Sequence, residues 1–458
     1  MSYFSIHNHT DYSSIRLLDS INKTKDLIDR AIELGLSGVC ITDHEVLSSH
    51  VEAIRYYKGL PKDVRDNFTL GLGDEIYLID ELGNKPPLGY SHFILVAKDQ
   101  VGHRALREIS STAWSNSYTD RGTLRVPITK SQLSEIVKKF PGSLIASSAC
   151  LGSELSQLTL LLIKKEKEGV SAEEIHGIKV KIVELITYCK DLFQEDYYIE
   201  VQPGIYSEQI EYNNRIKSIA NALEVKLVFS TDSHYLRQED REIHKAYLNS
   251  KEAEREVDDF YATSYMMSSA EVYDYLKNQF TESEFKQMTD NTNEIKSKIT
   301  TYDLFKPQVI PYVEIDTETI SPFLKKYEKS GYEYIDKMIS SIDEQDRFWI
   351  GSTLKGYEEK TLCKPHLNQS LYLERVNTEA MELWEISIKL NSRMTKYYNT
   401  MAHLVKLMWE AGAMVGIARG SATGYLTNYY LEITQLDPVE WDLPHWRHLS
   451  SERPELAK

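Results

Sequence analysis

The sequence predicts an α/β fold over its first half, a parallel sheet or an α/β barrel, followed by a largely helical second half. Three observations carry this. Short apolar, β-rich runs recur from residue 1 to about 250, and helical patterns fall between them. Those intervening segments place apolar residues at helical spacing. After about residue 255 the alternation stops and helical patterns dominate. Strand-then-helix repeats imply parallel pairing, because a parallel crossover needs roughly a helix's length of chain.

Each element has its own signal. "YFSI" (3–6) reads as the first strand, and "KTKDLIDRAIELG" (23–35) as a helix stopped by Gly35. Strands follow at 38–42 ("GVCIT"), 93–97 ("FILVA"), 143–147 ("SLIAS"), 197–201 ("YYIEV") and 226–230 ("KLVFS"). A helix over 171–193 opens with Ser171 and Glu174, the spacing of a capping box. "EVYDYL" and "FTESEFKQMTDNTNEIKSKI" are helical, and the Pro-bearing 304–322 reads as a linker or extended crossing. Residues 323–412 are mostly helix, and "AMVGIARGSATGYLTNYYLEITQLDP" returns to strand, turn and helix. The expected division is a domain over 1–255, a connecting region over 256–322 and a third region over 323–458. There is no internal repeat and no low-complexity segment.

Composition bounds the class. With 458 residues, 41% of them hydrophobic, and 30 tyrosines, the chain can bury two or three cores. A net charge of −16 argues against a purely electrostatic nucleic-acid binder. It leaves room for an enzyme that meets DNA through metals and a local basic groove. Lys164, Lys165 and Lys167 ("KKEK") read as a solvated helix face rather than as that groove. The four cysteines, Cys40, Cys150, Cys189 and Cys363, form no CxxC, which fits a reducing cytoplasm rather than a disulfide scaffold. No secretory pattern opens the sequence, and the apolar stretch "LTLLLI" (158–163) is too short to span a bilayer. The expectation is a soluble cytoplasmic protein with no membrane partner.

Potential metal ligands gather at strand edges. "SIHNHT" supplies His7 and His9, and "FSTDSHYLR" supplies Asp232 and His234, each pair at i and i+2 after an apolar run. On extended chain such pairs face the same way. "CITDHE" adds His44, "LGLGDEIYL" adds Glu75, "YSHFILVA" adds His92 and "LIASSACLG" adds Cys150. A lone histidine at a strand end is more often a packing residue. Two such pairs plus a TDH in a βα pattern are hard to assign to packing. In α/β barrels the strand ends share one mouth, and imidazole with carboxylate suits Zn, Mn or Fe.

"HNHTDYS", "AIELGLSGVCITDH", "GLGDEIYL", "ASSACLGSEL" and "FSTDSHYL" resemble, in order, the motifs of the polymerase-and-histidinol-phosphatase (PHP) domain. The version they resemble stands at the N-terminus of bacterial and phage C-family DNA polymerases, the DNA polymerase III alpha subunit. The resemblance covers essentially the whole chain. It implies a distorted seven-stranded α/β barrel whose mouth binds up to three divalent metal ions. The ligands it implies are His7, His9, Asp19 (in "RLLDS"), His44, Glu75 as a bridging ligand, His92, Cys150, Asp232 and His234. A complete set implies metal-dependent phosphodiester hydrolysis, as a 3′→5′ proofreading exonuclease on single-stranded DNA ends.

"VGIARGSATGYL" (415–426) resembles the palm loop that receives the triphosphate of the incoming deoxynucleotide, with Ala418 where a glycine usually stands. This makes Arg419, Gly420 and Ser421 nucleotide-contacting candidates, because small residues let backbone approach phosphate at a helix N-terminus. The resemblance implies a partial α+β palm over 323–458 and primer-template DNA as partner. At "SSERPELAK" the expectation is a break before the palm carboxylates that hold Mg. It implies a lone chain unable to polymerise and a second chain carrying the rest. Asp316 and Glu318 in "EIDTETI" imitate another exonuclease motif, but the segment reads as a polar linker turn. Two other functions compete: a stand-alone PHP phosphoesterase acting on a small substrate, and an inert PHP scaffold that docks a second polymerase chain.

Overall fold

The computed structural model describes residues 2–15, 18–83, 89–120, 122–250, 260–307 and 309–453. The sequence-based expectation at "ERPEL" therefore falls largely outside the described residues. The chain forms two compact units, Met1–Lys306 and Pro307–Lys458.

The first unit is built on one curled sheet. Its strands are β1 (Phe4–Ser5), β2 (Gly38–Ile41), β3 (Thr69–Ile79), β4 (Ser91–Ala97), β7 (Pro127–Thr129), β8 (Leu144–Ser147), β9 (Tyr197–Val201) and β10 (Lys226–Phe229), while β5 (Tyr118–Asp120) and β6 (Thr123–Arg125) form a separate hairpin. The order is β1-β2-β3-β4-β8-β9-β10, with β7 added beside β3. Six of these strands fall where the sequence places them: β1, β2, β4, β8, β9 and β10. β4 runs antiparallel to both β3 and β8. The connection over 80–90 is too short for the helix that a parallel return requires. The two edges of the path meet at one parallel bridge between Asn8 and Ser233. His9 N donates to Ser233 O at 3.0 Å and Ser233 N to His7 O at 3.4 Å.

β3 was hidden by its glycines and acids. A Cβ at Gly73 would lie 2.5 Å from the Leu95 carbonyl oxygen and 2.8 Å from the Thr42 methyl. Only glycine lets the neighbouring strands approach so closely.

The expected connecting region, 256–322, is divided instead between the units. Helices Ser269–Leu276 and Glu282–Lys298 belong to the first unit, where Val272, Leu276, Phe285 and Met288 join its buried core. Their apolar stripes have a core to cover, so they are not linker. Helix Glu282–Lys298 packs on β1 and β10, and Asn293 Nδ2 ties back to the Ser2 carbonyl at 3.0 Å.

The second unit is helical around Trp349, Leu354, Val376, Leu383 and Tyr425. Its principal helices are Glu344–Tyr357, Gln369–Leu390 and Thr395–Glu410. No strand occurs among its described residues, so the one expected around 413–417 is not formed. That stretch runs largely exposed, and among the described residues it meets a single backbone bond from Gln435 N to the Ile417 carbonyl at 2.7 Å, not a ladder. Asp316 is a helix N-cap, accepting from Glu318 N at 2.9 Å. Lys165 and Lys167 pair with Glu168 at 2.9 Å and Glu211 at 2.5 Å, as a solvated helix face should. Among the described residues no helix is long and apolar enough to cross a membrane.

Candidate metal centre

The bridge that joins the sheet's edges also builds the centre. Asn8 and Ser233 are the bridged residues, so His7 and His9 flank one and Asp232 and His234 the other. β10 itself ends at Phe229, and the common facing of each pair comes from this bridge rather than from a long strand. Asp232 sits at φ +47°, Glu45 (beside His44) at +59° and Ala149 (beside Cys150) at +61°. Side chains rarely adopt this left-handed region, and such strain concentrates where a loop must aim a functional group.

All nine expected ligands come together, Asp19 included. His7 Nε2 and His9 Nε2 each lie 3.1 Å from Asp232 Oδ1. Glu75 sits at the middle: Oε1 is 2.9 Å from His92 Nδ1 and 3.5 Å from His7 Nε2, and Oε2 is 2.6 Å from His44 Nδ1 and 3.4 Å from His9 Nε2. Asp19 Oδ2 lies 3.1 Å from His234 Nε2 and 3.3 Å from His44 Nε2. Cys150 Sγ reaches His92 Nδ1 at 3.4 Å. Gly152 makes that approach possible, since a Cβ there would touch the His92 ring at 3.0 Å. His92 is the ligand candidate open to solvent, and the other eight are buried.

Three imidazoles have their outer nitrogen committed. His7 Nδ1 donates to Glu200 at 2.8 Å. His234 Nδ1 donates to the Asp232 carbonyl at 2.7 Å. His9 Nδ1 meets Ser13 Oγ at 3.0 Å, and that hydroxyl donates onward to Asp43 Oδ1 at 2.8 Å, so the imidazole is the donor. Each ring therefore turns its Nε2 inward, the atom that would meet a metal. Carboxylate oxygens wait there. Asp19 Oδ2, Glu75 Oε2, Asp232 Oδ1 and His44 Nδ1 are buried and make no well-directed hydrogen bond. Such a convergence is stable only with positive charge between the atoms, from a bound cation or from protonated imidazole. Three overlapping donor groups have facing atoms within 4.8 Å of one another: His9, Asp19, His44 and His234; His7, His9 and Glu75; and His44, Glu75 and His92. The residues fit divalent cations.

Without a bound cation, protonated imidazoles balance the carboxylates. Burial opposes charge on Glu75, but the imidazoles of His92, His44 and His7 outweigh it and hold the carboxyl well below its usual range. Burial also opposes charge on His7, and Asp232, Glu200 and Glu75 together raise it well above the usual histidine value. Burial, with His44 and His234 close by, brings His9 down to about 4. Burial and the carboxylates of Asp232 and Glu75 push the Cys150 thiol up.

Besides Ser13, two supporting residues escaped the sequence reading. Glu200, on β9, accepts from His7, from Ser147 Oγ at 2.6 Å, from Gln202 Nε2 at 2.8 Å and from Ser230 Oγ. Its signal was a charge inside the apolar run "YYIEV". Asn8, the middle residue of the HxH, donates to the Ser5 and Cys40 carbonyls at 3.1 and 2.9 Å and accepts from Ser5 Oγ and Ser233 Oγ.

Arg419, Gly420 and Ser421 lie in the second unit, exposed, at the start of the 3-10 turn Gly420–Gly424. The turn has Gly420 at φ +70°. The short helix Leu426–Tyr430 follows, but its N-terminus is taken: Leu426 N and Thr427 N both donate to the Glu379 carboxylate at 2.8 Å. An anion at 419–421 would meet the 3-10 turn, not the expected helix end.

Comparison with known proteins accounts for both units. The PHP domain family matches residues 5–204, and the bacterial DNA polymerase III alpha NTPase domain family matches 352–457. "Probable DNA polymerase YorL" of Bacillus subtilis and the "DNA-directed DNA polymerase" of Bacillus phage SPbeta are each 41% identical to it over 98% of this chain. The DNA polymerase III subunit alpha of Campylobacter jejuni is 26% identical over 99%. The chain spans 35% of the length of each of these relatives. The clustered ligand candidates, the two family matches and the similarity to polymerases along the chain converge: the chain joins a PHP domain to a match with the DNA polymerase III alpha NTPase domain.

Proposed function

We propose that the first unit binds up to three divalent cations (Zn, Mn or Fe) and hydrolyses phosphodiester bonds at single-stranded 3′ ends, as a proofreading exonuclease within a replicative polymerase. One observation carries the reading: four buried potential ligand atoms, on Asp19, His44, Glu75 and Asp232, converge, none with a well-directed hydrogen bond. Bound divalent ions supply Lewis acidity and a water of lowered pKa. The chain's residues do the rest. Glu75 bridges between donor groups, and Asp19 and Asp232 add the negative charge that holds cations. Glu200 and Ser13 keep His7 and His9 in the tautomer that offers Nε2. Water adds to phosphorus, the bond from phosphorus to the 3′ oxygen breaks, and a nucleoside 5′-monophosphate leaves a new 3′ hydroxyl.

In the second unit, Arg419, Gly420 and Ser421 contact the incoming deoxynucleoside triphosphate. The Mg-binding carboxylates of nucleotidyl transfer then come from the part of the polymerase that these residues do not span. The test is direct. Elemental analysis of the protein purified from metal-supplemented medium should find bound divalent metal. A 3′-labelled single-stranded oligonucleotide should be shortened from that end. Asp232→Asn should lose both properties. Degradation unchanged in that variant would mean a contaminating nuclease and sink the assignment.

A further inference from the structure

A run of aromatic rings leads outward from the metal centre. Tyr261 meets the ring of His234 edge-on, with centroids 5.1 Å apart. Phe260 meets Tyr261 edge-on at 4.9 Å. Tyr206 lies tilted against Phe260 at 6.0 Å. His234 is 3% exposed at the inner end and Phe260 is 41% exposed at the outer end. Tyr206 is half-buried behind Phe260, and burial raises its phenol.

The segment is held firmly. Tyr235 Oη donates to the carbonyls of Tyr261 and Ala262 at 2.6 and 3.1 Å. Thr263 Oγ1 donates to the Pro203 carbonyl at 2.8 Å. A bridge joins Tyr235 to Tyr265.

A single exposed phenylalanine is ordinary. This one sits two ring contacts from a candidate ligand, next to backbone tied at Tyr261 and Ala262, with tyrosines behind it. An open aromatic face takes any base, whatever the sequence. It takes one only from an unpaired end, because bases inside a duplex already have both faces stacked. We propose that Phe260, backed by Tyr206 and Tyr261, stacks the 3′-terminal base of single-stranded DNA and so brings its phosphodiester to the metal centre. This rests on the phosphodiesterase reading above and names how its substrate is held.

The test uses the full chain and an oligothymidylate ending in 2-aminopurine, with a phosphorothioate at the last linkage to block cleavage. Binding to the wild type should quench the 2-aminopurine fluorescence. Phe260→Ala and Phe260→Leu should abolish the quench and weaken binding roughly 5- to 100-fold. Both should keep the wild-type metal content and melting temperature; the leucine retains the apolar packing. An oligonucleotide ending in an abasic site should bind wild type and variants alike. Quenching retained in both variants, or no binding to the wild type, overturns the proposal. Cleavage of the unmodified oligonucleotide is read separately. Stacking without cleavage removes the exonuclease and leaves the platform; cleavage with a KM indifferent to Phe260 removes the platform alone.

Discussion

Glu200→Gln should loosen metal binding while leaving the barrel folded. The wild-type carboxylate takes four donors: His7 Nδ1, Gln202 Nε2 and Ser230 Oγ on Oε1, and Ser147 Oγ on Oε2. In the glutamine, the amide oxygen keeps the first three. The amide nitrogen faces Ser147, whose hydroxyl can turn and accept. The number of hydrogen bonds is preserved and only the charge is lost. A charge-assisted bond is roughly twice as strong as a neutral one, and His7 becomes a poorer donor to metal. Changes to such outer partners lower metal affinity about 10- to 100-fold, or ~1.4–2.7 kcal/mol. Chelator competition followed by elemental analysis measures this, and circular dichroism follows the melt. Glu200→Ala is the contrast, because it strands the same donors without a partner and should melt earlier. Affinity for metal within about threefold of wild type in Glu200→Gln would refute the claim that Glu200 orients and charges His7.

The other predictions concern folding. Asn8→Ala removes donors from two buried carbonyls at the bridge and should cost about 2–4 kcal/mol of stability, read as a lower denaturation midpoint. Glu379→Ala strips the partner from Leu426 N, Thr427 N and Arg375 Nε, so calorimetry should show the second unit losing roughly 3 kcal/mol; an unchanged melt would mean water replaces it. His50 and His103 are buried with ring nitrogens 3.0 Å apart, and burial brings them down to about 3 and about 4. Below the unfolded histidine value near 6.5 the unfolded chain binds protons that the folded chain refuses. Stability should therefore fall as pH drops from about 6.5 toward 4, by up to ~1.4 kcal/mol per unit per histidine. Melts of His103→Gln across that range should show a shallower slope, and an identical slope would exclude the pair as the cause.

The ligand candidates were legible because their chemistry is punctuated. Polar groups such as "HNH" and "DSH" directly after apolar runs have no ordinary role in a core. Glu200 was equally buried, but one acid within "YYIEV" reads as part of a strand until its four donors are seen. β3 escaped because glycines at 71 and 73, demanded by close neighbours, erase the apolar alternation that marks a strand. The strand expected around 413–417 failed for the opposite reason. Its residues favour extended chain, but a strand exists only with a partner, and local sequence does not report one. The occupied helix end at Leu426 was invisible for a similar cause, since Glu379 is distant in sequence.

The bridge between Asn8 and Ser233 has a consequence for how the protein assembles. Those residues are 225 positions apart, so nearly the whole first unit must be threaded before they meet. Loop-closure entropy makes such a contact slow to form. His7 and His9 arrive on one side of the seam, Asp232 and His234 on the other. His44, Glu75 and His92 can gather on their own strands, but the groups that need His7, His9 or His234 are completed only when the barrel shuts. A cation bound there would act as a clasp, because whatever binds only the closed form deepens its stability. The amides of His9 and Ser233, which cross the seam, are the places where hydrogen exchange would register the clasp opening.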